Sequence, residues 1–132
     1  MPGKRYLLDT NAVIALLAGH AGLAALADDA EWLGISVITA LEFSGFAGLT
    51  EAERNLFREF CRRVEVVDLR FDDVELTGHV DALRRARTVK LPDAIILATA
   101  TARQAVLLTA DEQLQRLNGA LAGLEVRAFA EL

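Results

Sequence analysis

Apolar positions along this chain come in two rhythms. Short apolar runs at residues 6–8, 33–38, 64–69, 106–109 and 124–129 read as strands, the last of them at a sheet edge. Between them the spacing is helical. Residues 12–18 form one predicted helix, stopped by Gly19, and residues 21–30 a second, Ala-rich one. Thr39-Ala40-Leu41-Glu42 matches a capping box, which puts Glu42 in the first turn of a helix. Thr50-Glu51-Ala52-Glu53 repeats that pattern and opens a helix running to about Arg63. Asp72 is placed to cap a further helix reaching about Arg87, with Leu76, Val80 and Leu83 on one face.

The helix over residues 91–102 differs from the others. Pro92 suits a first helical position, where its missing N–H has no partner to lose, and Asp93 sits near the positive end of the helix dipole. After Asp93 come only Ala, Ile, Leu and Thr until Arg103. A helix without a polar face is a buried helix. One acid thus stands at the mouth of a segment that otherwise belongs to the core.

Strands alternating with helices imply an α/β fold, with a mainly parallel sheet of about five strands and helices on both faces. In such a fold the strand C-termini and the N-termini of the returning helices share one edge, where open sheets bind ligands. Asp9 follows the first strand and Asp111 the fourth, Glu42 opens the helix after the second, and Asp93 opens the buried helix. All four acids are therefore expected on that edge.

Bulk composition narrows the setting. Residues 1–132 are expected to form one domain, large enough to bury about two-thirds of its unfolded surface. No apolar run approaches the ~20 residues of a membrane span and no signal-peptide core opens the chain, so a cytoplasmic protein is expected. Cys61 is the only cysteine, which suits a packed thiol, and His20 and His79 have no metal-site spacing. A net charge of −5 argues against broad electrostatic attraction to nucleic acid, so such contact has to come from a local basic patch or from metal ions.

Carboxylates crowded at one edge repel one another unless some stay protonated or cations bind. Oxygen donors without His or Cys favour hard ions such as Mg²⁺ or Mn²⁺ over zinc. Such ions activate water and stabilise the oxygens of a phosphoryl transfer, so the chemistry suggested is metal-assisted phosphodiester hydrolysis. Each acid also has a local explanation: Asp9 and Asp111 as helix caps, Glu42 as the capping-box partner of Thr39, and Asp93 as a dipole complement. Four such coincidences on one edge weigh for a site.

These residues resemble the PIN-domain nucleases, and among them the VapC-like ribonuclease toxins of type II toxin–antitoxin systems. The resemblance rests on Leu8-Asp9-Thr10-Asn11, on Glu42, on Leu91-Pro92-Asp93-Ala94-Ile95-Ile96 and on Leu107-Leu108-Thr109-Ala110-Asp111, which occur in the family's order. It implies a PIN-like three-layer fold and Mg²⁺- or Mn²⁺-dependent endoribonuclease activity. Asp9, Glu42, Asp93 and Asp111 would be catalytic, with Asp9, Asp93 and Asp111 as metal ligands and Thr10, Asn11 and Thr109 supporting the acids. It also implies a homodimer and a small cognate antitoxin.

A basic cluster, Arg84, Arg85, Arg87 and Lys90, precedes the buried helix with no acid among its members. Two readings stay open for it, a phosphate-positioning rim for RNA and a solvated helix end whose cations suit the dipole. Two other functions compete with the nuclease. A phosphate-receiver or phosphatase domain wants adjacent acids after the first strand and a Lys near the last, whereas Asp9 stands alone and both lysines lie elsewhere. A catalytically silent protein-binding module would keep the fold without needing the acids.

Overall fold

The computed structural model describes residues 4–130 and 132 of the chain. The elements run β1 (Arg5–Leu8), α1 (Thr10–Leu17), α2 (Ala21–Asp29), β2 (Trp32–Ser36), α3 (Val37–Ser44), α4 (Glu51–Arg63), β3 (Glu65–Val67), α5 (Val74–Ala86), α6 (Leu91–Ala102), β4 (Val106–Thr109), α7 (Glu112–Gln115) and β5 (Glu125–Ala128). The strands form one sheet of order β3-β2-β1-β4-β5, and every pairing is parallel. The chain leaves β1 toward β2 and β3, then returns to the other side for β4 and β5. Its direction reverses between β1 and β4, the switch point at which open α/β sheets form a crevice.

Successive strand side chains point to opposite faces, so the sheet divides the core in two. Tyr6 and Leu8 pack with Val13 of α1, Leu23 of α2, Phe43 of α3 and Phe57 and Phe60 of α4. Leu7 and Leu107 pack on the other side with Leu83 of α5, Ile96 and Leu97 of α6 and Leu114 of α7. Helix α6 is buried continuously from Ala94 to Ala100, as its missing polar face requires. Thr99 enters that interior because its Oγ1 donates to the Ile95 carbonyl oxygen at 2.7 Å, which satisfies the hydroxyl within the helix.

Three helix starts differ from the sequence expectation. Strand β2 ends at Ser36 instead of residue 38, because Ser36 caps α3 by accepting from the Ile38 N–H at 3.1 Å. The expected Thr39–Glu42 capping box is therefore not formed, and Glu42 falls in the second turn of α3. Helix α5 is capped by Asp73, which accepts from the Leu76 N–H, while the expected cap, Asp72, pairs with Arg70 at 2.9 Å. Helix α1 begins two residues early, at Thr10, because Asp9 caps it.

The shift in α3 leaves Thr39 fully buried, with the one buried side-chain oxygen that lacks a hydrogen-bond partner among the described residues. An unsatisfied buried hydroxyl is unfavourable by about 1–3 kcal/mol, so Thr39→Val is expected to keep or raise the midpoint of urea unfolding. A lower midpoint would reveal a partner for that hydroxyl.

Candidate active site

Asp9 is held where β1 gives way to α1. Its backbone N–H completes the ladder by donating to the Leu108 carbonyl oxygen at 3.1 Å, and its own carbonyl accepts from Val13 to start the helix. The side chain, only 7% exposed, then takes three donors. Oδ1 accepts from the Thr10 N–H at 2.8 Å, and Oδ2 accepts from Thr109 Oγ1 at 2.7 Å and from Asn11 Nδ2 at 3.4 Å. Hydrogen bonds to an ionised group are worth about 1.5–3 kcal/mol each, so this carboxylate is fixed in direction.

Thr109 is fully buried and ties β4 into the same network. While donating to Asp9, its hydroxyl oxygen accepts from the Asp111 N–H at 3.0 Å. Asn11 spans the crevice: its Nδ2 reaches Thr109 Oγ1 at 3.3 Å and its Oδ1 accepts from the Ala110 N–H at 2.9 Å. Asp111 caps α7 by accepting from the Gln113 N–H at 2.8 Å. One hydroxyl and one amide thus set the relative position of two strand ends and of the acids that follow them.

Glu42 joins from α3. In the second turn its carboxylate reaches α1 and accepts from Thr10 Oγ1 at 2.9 Å, which ties the third acid to the residue beside Asp9. Asp93 is half-buried at the start of α6. Burial pushes its carboxyl above the usual carboxylate range, and the charges of Asp9, Asp111 and Glu42 push it further, with Lys90 opposing. The four acids that sequence placed on one edge therefore share one electrostatic neighbourhood.

Among the described residues, no three Asp, Glu, His or Cys side chains already form a set that could hold a metal ion. Coulomb forces act over a longer range than coordination, and uncompensated like charges stand apart. Mg²⁺ keeps several waters and takes only one or two protein carboxylates, so the oxygen-only donors fit a hydrated hard cation.

Of the basic cluster, Arg84 and Arg85 end α5, Arg87 caps it and Lys90 is the residue before α6. All four are exposed, and Lys90 alone acts on Asp93. Lys90 also lines a cavity of about 400 Å³ that opens beside Asp93, together with Gln113 and Arg116 of the α7 region. Neither of these two carried a signal in the sequence, since a short polar helix after a strand looks like any solvated connection.

The model of the PIN domain matches residues 6–120. The chain belongs to the PIN domain family. No curated protein resembles this PIN domain closely enough to count as a relative. Among solved structures, a toxin–antitoxin complex from Klebsiella pneumoniae contains a chain 28% identical to it, with TM-score 0.70, covering 92% of this chain and 95% of that one. VapBC2 from Rickettsia felis, bound to a promoter DNA fragment, is 21% identical with TM-score 0.69, covering 93% and 97%. VapBC-1 from nontypeable Haemophilus influenzae is 22% identical with TM-score 0.67, covering 94% and 97%. The last two share the fold of this PIN domain over nearly its whole length.

Proposed function

We propose that residues 1–132 act as one metal-dependent endoribonuclease domain, the toxin of a toxin–antitoxin pair. The observation that carries this reading is the hydrogen-bonded crevice at the switch point between β1 and β4, where Thr109 and Asn11 fix Asp9, Thr10 fixes Glu42, and Asp111 follows β4 on the same edge as half-buried Asp93. Asp9, Asp93 and Asp111 are the residues to hold Mg²⁺ or Mn²⁺, with Glu42 as the fourth catalytic acid. A bound ion supplies Lewis-acid stabilisation of the phosphodiester and a more acidic water. The chain's part is orientation. Thr109 and Asn11 hold Asp9, Thr10 holds Glu42, and the cap to Gln113 holds Asp111. Of the basic cluster, Lys90 lies beside Asp93 and is the cation on which an RNA backbone is positioned, with Arg84, Arg85 and Arg87 preceding it at the end of α5.

An antitoxin fits a different surface. Ile14, Phe46 and Leu56 are exposed around an apolar groove of about 310 Å³ between α1, α3 and α4. Clustered exposed apolar side chains mark an interaction surface. The solved neighbours are toxin–antitoxin complexes, so the occupant proposed is an apolar segment of a small antitoxin, with a cation reaching the acids. The working form is a cytoplasmic homodimer. Among the described residues no single helix is long and apolar enough to cross a membrane.

Two outcomes test this reading. Purified protein should cut RNA with Mn²⁺ or Mg²⁺ and stop in EDTA, and undiminished cleavage by demonstrably metal-free protein would falsify it. Induction in a bacterial host should arrest growth, with arrest relieved by a co-expressed small partner and absent for Asp9→Asn. Normal growth despite soluble, RNA-cutting protein removes the toxin role and leaves the nuclease.

A further inference from the structure

The cavity beside Asp93 has the build of a nucleobase site. Its aliphatic lining comes from Val89, Leu114 and Leu117, and its polar lining from Thr88, Lys90, Gln113 and Arg116, with the Asp93 carboxylate at the side of the acids. A base has the same division, with two apolar faces and a hydrogen-bonding edge. At about 400 Å³ it lies within the ~300–1,000 Å³ range of small-ligand pockets. Among the described residues neither Lys90 nor Arg116 pairs with an acid, although acids crowd next door. The Gln113 side chain makes no hydrogen bond among the described residues, since its contact with Asp111 uses the backbone N–H. Two unpaired cations and a free amide around an apolar floor, with a single carboxylate at the side of the acids, suit a nucleotide better than the cation-bearing antitoxin segment proposed for the acids.

We infer that this cavity seats the base of the nucleotide flanking the scissile phosphate, with Gln113 reading the base edge and Arg116 and Lys90 holding adjoining phosphates. The inference rests on the RNA-cleaving reading above and makes Gln113 and Arg116 specificity and positioning residues. Single-stranded RNA is the substrate class, because only an unpaired base can turn out of its stack into a pocket.

The test uses the full chain with Mn²⁺ and a single-stranded oligoribonucleotide library whose products are sequenced. In parallel, labelled random-sequence oligoribonucleotides are titrated in EDTA over a range of salt. Gln113 and Arg116 are both exposed, so their alanine variants leave the core intact. Gln113→Ala should flatten the base preference on one side of the cut by about 5–10-fold. Arg116→Ala should raise KM more than it lowers kcat, and reduce the slope of log affinity against log salt by about 0.7. Arg63→Ala, where α4 meets the start of β3 at the opposite edge, should change neither. If the parent cuts RNA while Gln113→Ala and Arg116→Ala keep its base preference and salt slope, the cavity is not a base site and the nuclease reading stands. If the parent binds RNA without cutting, the nuclease reading falls. Weaker binding by Arg116→Ala then supports the cavity, and unchanged binding overturns it. A parent that neither binds nor cuts RNA overturns both.

Discussion

Asp9→Asn is expected to cut RNA more than ~100-fold more slowly than the parent and to unfold at a somewhat lower temperature. The two halves of that expectation have separate causes. The start of α1 is undisturbed, because Asn caps helices about as well as Asp and the Thr10 N–H keeps its acceptor, but an amide NH2 in the place of Oδ2 faces the donors of Thr109 and Asn11 and forfeits their bonds. Activity is lost because the site loses a charge that no neighbouring group replaces. A graded comparison makes the test sharper. Removing a partner that merely orients a ligand costs about 10–100-fold in metal affinity or activity. Thr109→Val is such a change, since it deletes the 2.7 Å donor to Asp9 and the acceptor of the Asp111 N–H. It should fall in that range and should also lower stability, because it leaves the Asp111 N–H without its partner. Initial cleavage rates and thermal midpoints for both variants check the order. Equal rate losses would mean that Asp9 is another scaffold residue, and cleavage by Asp9→Asn at the parent's rate would move the chemistry elsewhere.

The double duty of Asp9 explains why its local explanation and its functional one looked like rivals. A cap at a strand-to-helix junction is by construction on the edge where the crevice opens, so Asp9 and Asp111 are both helix caps and neighbours of Asp93. The sheet and its edge were legible for a similar reason. Apolar runs alternating with helices leave few ways to build a parallel sheet, and one rule then places every strand end. What could not be read was which of several competent groups wins a local contest. Ser36 and Thr39 are both good caps, as are Asp72 and Asp73. Ser36 accepts from the Ile38 N–H and starts α3 at Val37, so Thr39 falls inside the first turn, buried and without a partner among the described residues. That choice moves Glu42 by a turn and gives it Thr10 as a partner instead of Thr39. The cavity lined by Gln113 and Arg116 had no signature because it exists only where residues 88–90 pack against α7, far apart in sequence.

Asp93→Asn should reverse its effect on stability between metal-free and metal-loaded protein. In the folded chain burial and three neighbouring acids hold the Asp93 carboxyl above its ordinary range, so the native state binds that proton more tightly than the unfolded chain does. Stability from this group is therefore fully present below the ordinary carboxylate range and is lost as pH rises through the raised value. In EDTA the parent should lose stability relative to Asp93→Asn across that window. The two should be closest at acid pH, and the variant should be the more stable at neutral pH. Adding Mn²⁺ supplies the missing countercharge. A ligand that binds only the native state at a hundred times its dissociation constant adds about 2.7 kcal/mol, and the parent should gain that much where the variant gains little. The alternative, an acid that only complements the α6 dipole, makes the opposite forecast: its neutralisation removes about 0.3–1 kcal/mol with or without metal. Thermal unfolding of both proteins in EDTA and in Mn²⁺, from acid to neutral pH, separates these. A variant less stable than the parent under all of those conditions, with its metal response intact, would return Asp93 to the role of an ordinary helix-start acid.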